Sequence, residues 1–142
     1  MAVRIGSAQW NGSLKDGNGN VSSETGVLKN TPFSFSSRFE EESGTNPEEL
    51  IGAAHAGCFS MALSAGLGEA GYTPNSIQTT DKVHLTKGDA GFAISKIEIT
   101  TEADIPNIDE ETFLNHAESA KNTCPVSKAL AGVEFELTAS LK

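Results

Sequence analysis

Alternating apolar and polar residues at the start of the chain predict strands. The first strand covers residues 5–11 and the second roughly residues 21–25. The run 15–20 between them is rich in Gly, Asn and Asp, which is typical of a hairpin turn. In residues 33–39, three phenylalanines alternate with polar residues, so we expect a third strand with Arg38 on the face opposite the phenylalanines.

A long helix is predicted to begin at Pro47 and to end near residue 69 or 70. Thr45 or Asn46 can cap it, Pro47 suits the first helical position, and Glu48 and Glu49 complement the positive end of the helix dipole. Gly71 follows as a stop. The helix should therefore be continuous across the centre of the chain.

The second half of the chain mixes a hairpin with helices and a last strand. Residues 77–85 and 92–101 read as a second hairpin, 109–121 and 124–130 as helices, and 133–141 as an alternating strand. The order βββαββααβ combines antiparallel sheets with a long central helix, which predicts an α+β fold in one domain spanning residues 1–142.

Small residues are common where larger apolar ones would fill a core. Of 142 residues, 37% are hydrophobic and 6% aromatic, so apolar bulk is short and a second subunit would help to complete the fold. A Gly/Ala face on the long helix either packs within the chain or, as we favour, meets a second copy of the same helix. Its members are Gly52, Ala53, Ala56 and Gly57.

The net charge of the chain limits which classes of molecule it can bind. The net charge is −9 with no Lys/Arg block, which argues against nucleic acid and anionic membranes. Residues 50–67 are too weakly apolar for lipid and suit a buried helix. With no secretory pattern at the start, we expect a cytoplasmic protein, where a disulfide between Cys58 and Cys124 would be transient and chemical.

Two interpretations are open for each cysteine. Cys58 lies inside the long helix, and it is either a small buried hydrophobe or a thiolate that needs a nearby cation, for which Arg38 is the candidate. Cys124 precedes Pro125 at the start of a helix, where free backbone N–H groups would stabilise a thiolate. The residues alone do not decide which sulfur reacts first.

The histidines raise the alternative of a metal site. His55 precedes Cys58 by one helical turn, and His116 and Cys124 could complete four ligands. This spacing is not a recognised zinc pattern, so we expect His55 to be a hydrogen-bonded helix histidine and no metal or other cofactor to be bound. His84, in a strand, is expected to be structural or exposed, and at least one of Glu48 and Glu49 to serve only the helix dipole.

Three segments together resemble the osmotically inducible protein C (OsmC) family. They are Arg38-Phe39-Glu40, residues 44–64 (GTNPEELIGAAHAGCFSMALS) and residues 124–128 (CPVSK). The resemblance covers nearly the whole chain. It implies an intertwined α+β homodimer that reduces organic hydroperoxides and is regenerated by a dithiol of the lipoyl type. Since Arg38 is the only suitable arginine, the resemblance is to the OsmC branch and not to the sister branch of organic hydroperoxide resistance proteins, in which the arginine lies nearer the N-terminus.

The resemblance also implies a role for each site residue. Cys58 matches the cysteine that attacks peroxide, Cys124 the resolving cysteine, Arg38 the activating arginine and Glu48 its carboxylate partner. Rival hypotheses are a non-enzymatic dimeric stress protein that binds a hydrophobic ligand, and a metal-binding protein that uses His55, Cys58 and Cys124.

Helix geometry predicts where Glu48 acts. It precedes Cys58 by ten residues, or ~15 Å along a helix axis, and side chains lean toward the helix N-terminus. We therefore expect a composite site, with the cysteines of one chain served by Arg38 and Glu48 of its partner.

Overall fold

The computed structural model describes all 142 residues, and its elements follow the order βββααββααβ. The chain divides into two compact units, Met1–Leu50 and Ile51–Lys142, with the boundary inside the second helix. The strands are β1 Gly6–Asn11, β2 Asn18–Ser23, β3 Thr31–Ser34, β4 Ser76–Gly88, β5 Gly91–Asp104 and β6 Glu134–Leu141. The helices are α1 Phe35–Phe39, α2 Pro47–Glu69, α3 Glu110–Thr123 and α4 Pro125–Ala129.

The first unit contains an antiparallel sheet in the order β1-β2-β3. Gly19 in β2 pairs with Trp10 on one side and with Phe33 on the other. A Cβ atom at Gly19 would lie 2.6 Å from the Phe33 ring and 2.8 Å from the Trp10 ring, so only glycine lets these rings meet across β2. The ring centroids are 5.3 Å apart. The hairpin turn ends at Gly17, earlier than predicted, and β2 therefore starts at Asn18.

The prediction of a third strand through residue 39 is wrong in its second half. The strand ends at Ser34, which caps helix α1: its hydroxyl accepts the Ser37 N–H at 3.0 Å, and its own N–H donates to the Ser37 hydroxyl at 2.8 Å. This reciprocal capping stops the strand and starts a helical turn. Arg38 thus lies on a helix, and its guanidinium stands over the Phe39 ring at 5.3 Å instead of facing away from the phenylalanines.

Helix α2 has the predicted bounds. The Asn46 side chain accepts the Glu49 N–H at 2.8 Å at its start, and Gly71 adopts a φ of +89° just beyond its end. By length and composition α2 could span a membrane, and 28% of its most apolar window is buried in the chain. The expected buried helix is therefore buried along one strip only, and the expectation that the protein avoids membranes stays a prediction.

The second unit packs helices on a three-stranded sheet in the order β4-β5-β6. Strands β4 and β5 form an antiparallel hairpin, while β5 and β6 run parallel because α3 and α4 lie between them in the chain. The core lies between α2, β5 and α3. It contains Phe59, Leu63, Leu67, Ile97, Ile99, Ala103 and Phe113.

The predicted α+β class, with antiparallel hairpins and a long helix, is confirmed. One member of the expected Gly/Ala face turns inward: a Cβ atom at Gly52 would lie 3.3 Å from Val83 of β4, so Gly52 packs within its own chain. The homodimer and the single domain stay predictions.

Candidate functional site

The two cysteines lie together in the second unit. Cys58 is on α2, and Cys124 is the residue between α3 and α4; both are free thiols, with the sulfur atoms 2.8 Å apart. Cys124 is fully buried and Cys58 is partly exposed. Since a disulfide needs the sulfurs at about 2.05 Å, a small movement joins them. The fold therefore brings together the two predicted sulfur sites.

The surroundings of Cys124 favour its thiolate. Burial raises the pKa of Cys124, but the Cys58 thiol, the N–H and hydroxyl of Ser127 and the Val126 N–H favour its thiolate and together outweigh burial. The pKa therefore lies below the ordinary value of 9.0. The sequence-based argument that Cys124 gains from free N–H groups at a helix start agrees with this lowered pKa.

Cys58 has the opposite electrostatic setting. Burial raises its pKa above 9.0, and the hydrogen bond with Cys124 raises it further, against a weaker lowering by the Val126 N–H. When the two cysteines hold one proton between them, Cys58 is the thiol and Cys124 the thiolate, because the backbone N–H groups favour negative charge on Cys124. A peroxide-attacking Cys58 thus needs a cation that lowers its pKa.

The other two predicted site residues form an ion pair in the first unit. Arg38, in the last turn of α1, donates from Nη2 to Glu48 Oε1 at 2.7 Å and from Nε to both carboxylate oxygens at 3.2 Å. Glu48 occupies one edge of the guanidinium, which leaves Nη1 for another acceptor. Glu49 instead accepts the Thr45 hydroxyl at 2.5 Å, as expected for a residue that serves only the helix start.

An apolar cavity of about 240 Å³ also lies in the first unit. Aromatic and aliphatic side chains form most of its wall, and Arg38 is the charged residue among them. The lining comprises Trp10, Leu14, Phe33, Ser34, Phe35, Arg38 and Phe39. Such a cavity suits a small organic molecule whose polar end meets the guanidinium.

Sequence reasoning missed two residues that contact His55, namely Asp81 and Ser127. His55 on α2 is fully buried; its Nδ1 lies 2.5 Å from Asp81 Oδ2 and its Nε2 lies 2.8 Å from the Ser127 hydroxyl. A signal for Asp81 was present, because it falls in phase with the inward-facing Ile77 and Val83 of the alternating strand β4. Nothing in the spacing connects Ser127 with His55.

The metal hypothesis requires a free ring nitrogen on His55. Both ring nitrogens of His55 are occupied by Asp81 and Ser127, so His55 is the hydrogen-bonded helix histidine that was expected. His116 lies against Gly66. The structure has no group of three or more His, Cys, Asp or Glu side chains arranged to hold a metal ion.

Comparison with known proteins places this constellation in a family. Residues 40–138 match the family described as OsmC-like protein. Peroxiredoxin OsmC of Escherichia coli strain K12 is 57% identical over 137 residues, which cover 96% of this chain and 95% of that protein. This chain belongs to the OsmC family.

Members of the sister branch are more distant from this OsmC-family chain. Organic hydroperoxide resistance protein OhrB of Bacillus subtilis is 33% identical over 124 residues, covering 84% of this chain and 88% of that protein. The crystal structure of OhrB superposes with a TM-score of 0.68 at 26% identity, covering 97% of this chain and 98% of the other. The predicted resemblance to the OsmC family is confirmed.

In this OsmC-family protein the four predicted site residues thus form two pairs. Cys58 with Cys124 belongs to the second unit, and Arg38 with Glu48 to the first. The roles that the family resemblance implies for these residues stay predictions.

Proposed function

We propose that this protein reduces organic hydroperoxides with Cys58, resolves the oxidised sulfur with Cys124, and is regenerated by a dithiol. The enzyme class is supported by the relatives: at 57% identity to a peroxiredoxin, the chain is a peroxidase. The observation that carries the cysteine mechanism is the 2.8 Å separation of the two free sulfurs. A sulfenic acid formed on one sulfur would meet the other without a large rearrangement.

The proposed reaction has three steps. The Cys58 thiolate attacks the distal peroxide oxygen, the O–O bond breaks, and the alkoxide takes a proton and leaves as the alcohol. The Cys124 thiolate then attacks the sulfenic sulfur, forming the disulfide and releasing water after protonation of the hydroxide. Two thiols of an external reductant restore both cysteines, and a lipoyl-type dithiol is our candidate for that reductant.

Cys58 attacks the peroxide first in this scheme, because the surroundings of Cys124 lower its pKa and so supply the thiolate that the second step needs. The thiol with the lower pKa is also the better leaving group when the reductant attacks the disulfide at Cys58. The raised pKa of Cys58 in its own unit requires activation, for which Arg38 has a guanidinium edge not used by Glu48.

We further propose that Arg38 and Glu48 serve Cys58 of a partner subunit in a homodimer. Support comes from α2, which continues unbroken through Glu48 and Cys58, and from its small exposed residues. Ala53 and Gly57 are exposed on this helix, and Met61 is 76% exposed. A second chain would cover this surface. The cytoplasm, as predicted from the sequence, would supply the dithiol.

The apolar cavity beside Arg38 supports an organic substrate over hydrogen peroxide. The same cavity also favours the second candidate, a non-enzymatic protein that binds a hydrophobic ligand.

A thiol titration separates the two candidates. The reduced protein is mixed with one equivalent of an alkyl hydroperoxide, and free thiols and released alcohol are counted. We expect both thiols to disappear, with one alcohol formed and no intermolecular crosslink on a non-reducing gel. Thiols that remain unchanged while the hydroperoxide is recovered intact would favour the binding protein.

A further inference from the structure

A continuous line of polar side chains runs through the second unit and ends on the resolving sulfur. Asp81 on β4 contacts His55 Nδ1 at 2.5 Å, and His55 Nε2 contacts the Ser127 hydroxyl at 2.8 Å. Ser127 is the third residue of α4 and Cys124 is the N-cap residue of that helix, where the Ser127 hydroxyl helps to lower the pKa of Cys124. The side chains of Asp81 and His55 are 0% exposed, so this line is closed to solvent at its far end.

A buried histidine with two hydrogen-bond partners is ordinarily a structural feature, but the buried pair of His55 and Asp81 lowers the stability of the fold. Asp81 Oδ1 is buried and has no hydrogen-bond partner, so the carboxylate is only half satisfied. A buried polar pair with an unpaired oxygen is commonly less stable than apolar residues of the same size. Such a group calls for a functional explanation.

The hydrogen bonds of this line can be assigned completely in two ways. With a Cys124 thiol, the S–H donates to Ser127 Oγ, the Ser127 hydroxyl donates to His55 Nε2, and His55 Nδ1–H donates to Asp81. With a Cys124 thiolate, the Ser127 hydroxyl donates to the sulfur, and a doubly protonated His55 donates to both of its partners. The two assignments differ by the position of one proton.

The two assignments carry the same net charge. In the assignment with a Cys124 thiol, Asp81 is the only charged group. In the assignment with a Cys124 thiolate, Asp81 keeps its charge, and the charges of the imidazolium and the thiolate cancel. Moving the proton therefore leaves the buried region at one negative charge, and no proton has to cross to solvent. Asp81 stabilises the imidazolium in place, as a carboxylate does in other carboxylate–imidazole–hydroxyl arrangements.

We propose that Ser127, His55 and Asp81 form a proton relay that takes the proton of Cys124 when it resolves the Cys58 sulfenic acid. In this relay Ser127 is the catalytic residue, which exchanges a proton with the reacting sulfur, and His55 and Asp81 are positioning residues that act through it. This inference rests on the proposed peroxidase function. It assigns the relay to the second step and not to the attack on peroxide.

The Cys124 proton passes to Ser127 as the Ser127 proton passes to His55, and the resulting thiolate attacks the sulfenic sulfur. The S–S bond forms, the S–O bond of the Cys58 sulfenic acid breaks, and hydroxide leaves. The relay returns its proton to the hydroxide, giving water. The sulfenic sulfur is reduced and the Cys124 sulfur is oxidised, so no further electron acceptor is needed.

The carboxylate–imidazole–hydroxyl order also activates serine nucleophiles in hydrolases. Here Ser127 is only 6% exposed, and its next neighbour along the line is a sulfur. The hydroxyl therefore passes a proton to and from a thiol and does not present itself to an ester or amide.

The test separates the two steps in a single turnover. Reduced protein is mixed rapidly with one equivalent of an alkyl hydroperoxide, and the sulfenic acid is trapped with dimedone at increasing times. In Ser127→Ala and in His55→Gln, we expect the sulfenic acid to persist about 10²-fold longer than in wild type, the usual size of a lost proton-transfer group. The rate of sulfenic acid formation should change far less, and Ser127→Thr should restore fast resolution because it keeps a hydroxyl.

A matched control removes another buried hydroxyl from the same unit. Thr101 is fully buried and hydrogen-bonds to Thr79 at 3.0 Å, away from the line to Cys124. Thr101→Val should lower the melting temperature and leave the sulfenic acid lifetime unchanged. A merely structural role of the His55 line would make Ser127→Ala behave in the same way.

The outcomes are distinct. Wild-type turnover together with wild-type lifetimes in folded Ser127→Ala would overturn the relay and leave the proposed function standing. A wild-type protein that forms no sulfenic acid would overturn the proposed function and the relay with it. If His55→Gln does not fold, the Ser127→Ala and Ser127→Thr pair decides. A titration of Cys124 in the Cys58→Ser background gives a further readout. The thiolate absorbance of Cys124 should appear at higher pH when Ser127→Ala is added than when Ser127 is kept. Identical titration curves would count against the relay.

Discussion

The two cysteines lie in the same unit, but their surroundings change their pKa values in opposite directions. Two backbone N–H groups and a hydroxyl at the start of α4 favour the Cys124 thiolate, and its pKa is lowered. Cys58 lies in the middle of a helix where burial and its neighbour raise the pKa. Local structure therefore prepares the proposed resolving thiol, whereas the proposed attacking thiol would depend on a charge supplied by Arg38.

The two polar pairs proposed to act on the cysteines, Arg38 with Glu48 and His55 with Asp81, differ in their exposure to solvent. The side chain of Arg38 is 35% exposed and that of Glu48 11%, so solvent screens this pair and its contribution to stability is small. Asp81 and His55 are closed to solvent, where removal of one partner is costly. Substitutions at Arg38 should therefore change reactivity with little loss of fold, and substitutions at Asp81 should affect both.

The largest expected effect comes from removing one sulfur at a time. Cys58→Ser should abolish hydroperoxide consumption, because no other group in the scheme forms the sulfenic acid. Cys124→Ser should consume about one equivalent and then stall or over-oxidise. Consumption is measured with excess hydroperoxide and dithiol. Full multiple turnover by Cys58→Ser would reverse the assigned roles.

The next effect concerns the cation. Arg38→Ala should slow the reaction with hydroperoxide by about 10²–10³-fold, typical of losing a charged donor at a reacting centre. A cation beside Cys58 would lower its pKa, so removal of Arg38 should displace the pH profile of Cys58 alkylation toward higher pH, measured in the Cys124→Ser background. Arg38→Lys should recover only part, since an ammonium cannot bridge Glu48 and sulfur with a planar fork.

The chain offers a matched control for this experiment. Arg4 is its only other arginine and is exposed near the N-terminus. Arg4→Ala should leave both the rate and the alkylation profile unchanged. An unchanged profile in Arg38→Ala as well would remove this arginine from the mechanism.

A smaller effect tests whether the cation comes from the partner. In the scheme Cys58→Ser subunits are inactive and Arg38→Ala subunits are strongly slowed, but a mixed dimer would contain one complete site. Mixing and exchanging the subunits should therefore restore activity to one site in each heterodimer. No recovery, despite exchange verified by mass spectrometry, would mean that each site is built from one chain.

The smallest effect tests the contact between the sulfurs. Cys58→Ser keeps a donor to Cys124, whereas Cys58→Ala removes it, and this hydrogen bond helps to lower the pKa of Cys124. The thiolate absorbance of Cys124 should therefore appear at slightly higher pH in Cys58→Ala. Equal titration curves would show that the N–H groups and Ser127 suffice.

Much of the fold could be predicted because its signals are local. Asn46, Pro47 and Gly71 mark the ends of α2, and apolar alternation marks the strands of the second half. The third strand was predicted too long because alternation through residue 39 outweighed the less conspicuous Ser34 and Ser37 capping pair. A five-residue helix leaves no periodic pattern to compete with a strand.

The site was predictable where the family motif carries it and not where tertiary contacts make it. Cys58, Cys124, Arg38 and Glu48 lie in recognisable segments, and the structure pairs them two by two. Asp81 and Ser127 come together only when β4 and α4 are placed against α2, and no spacing rule connects them. Buried hydrogen-bond networks of this kind are properties of packing and not of sequence order.

The most direct test of the account is to find which sulfur carries the peroxide oxygen. The Cys124→Ser and Cys58→Ser proteins are each treated with one equivalent of an alkyl hydroperoxide in the presence of dimedone, and the adduct is located by peptide mass spectrometry. The account predicts a rapid adduct on Cys58 in Cys124→Ser and none on Cys124 in Cys58→Ser. An adduct that forms as rapidly on Cys124 in Cys58→Ser would contradict the claim that Cys58 attacks and Cys124 resolves.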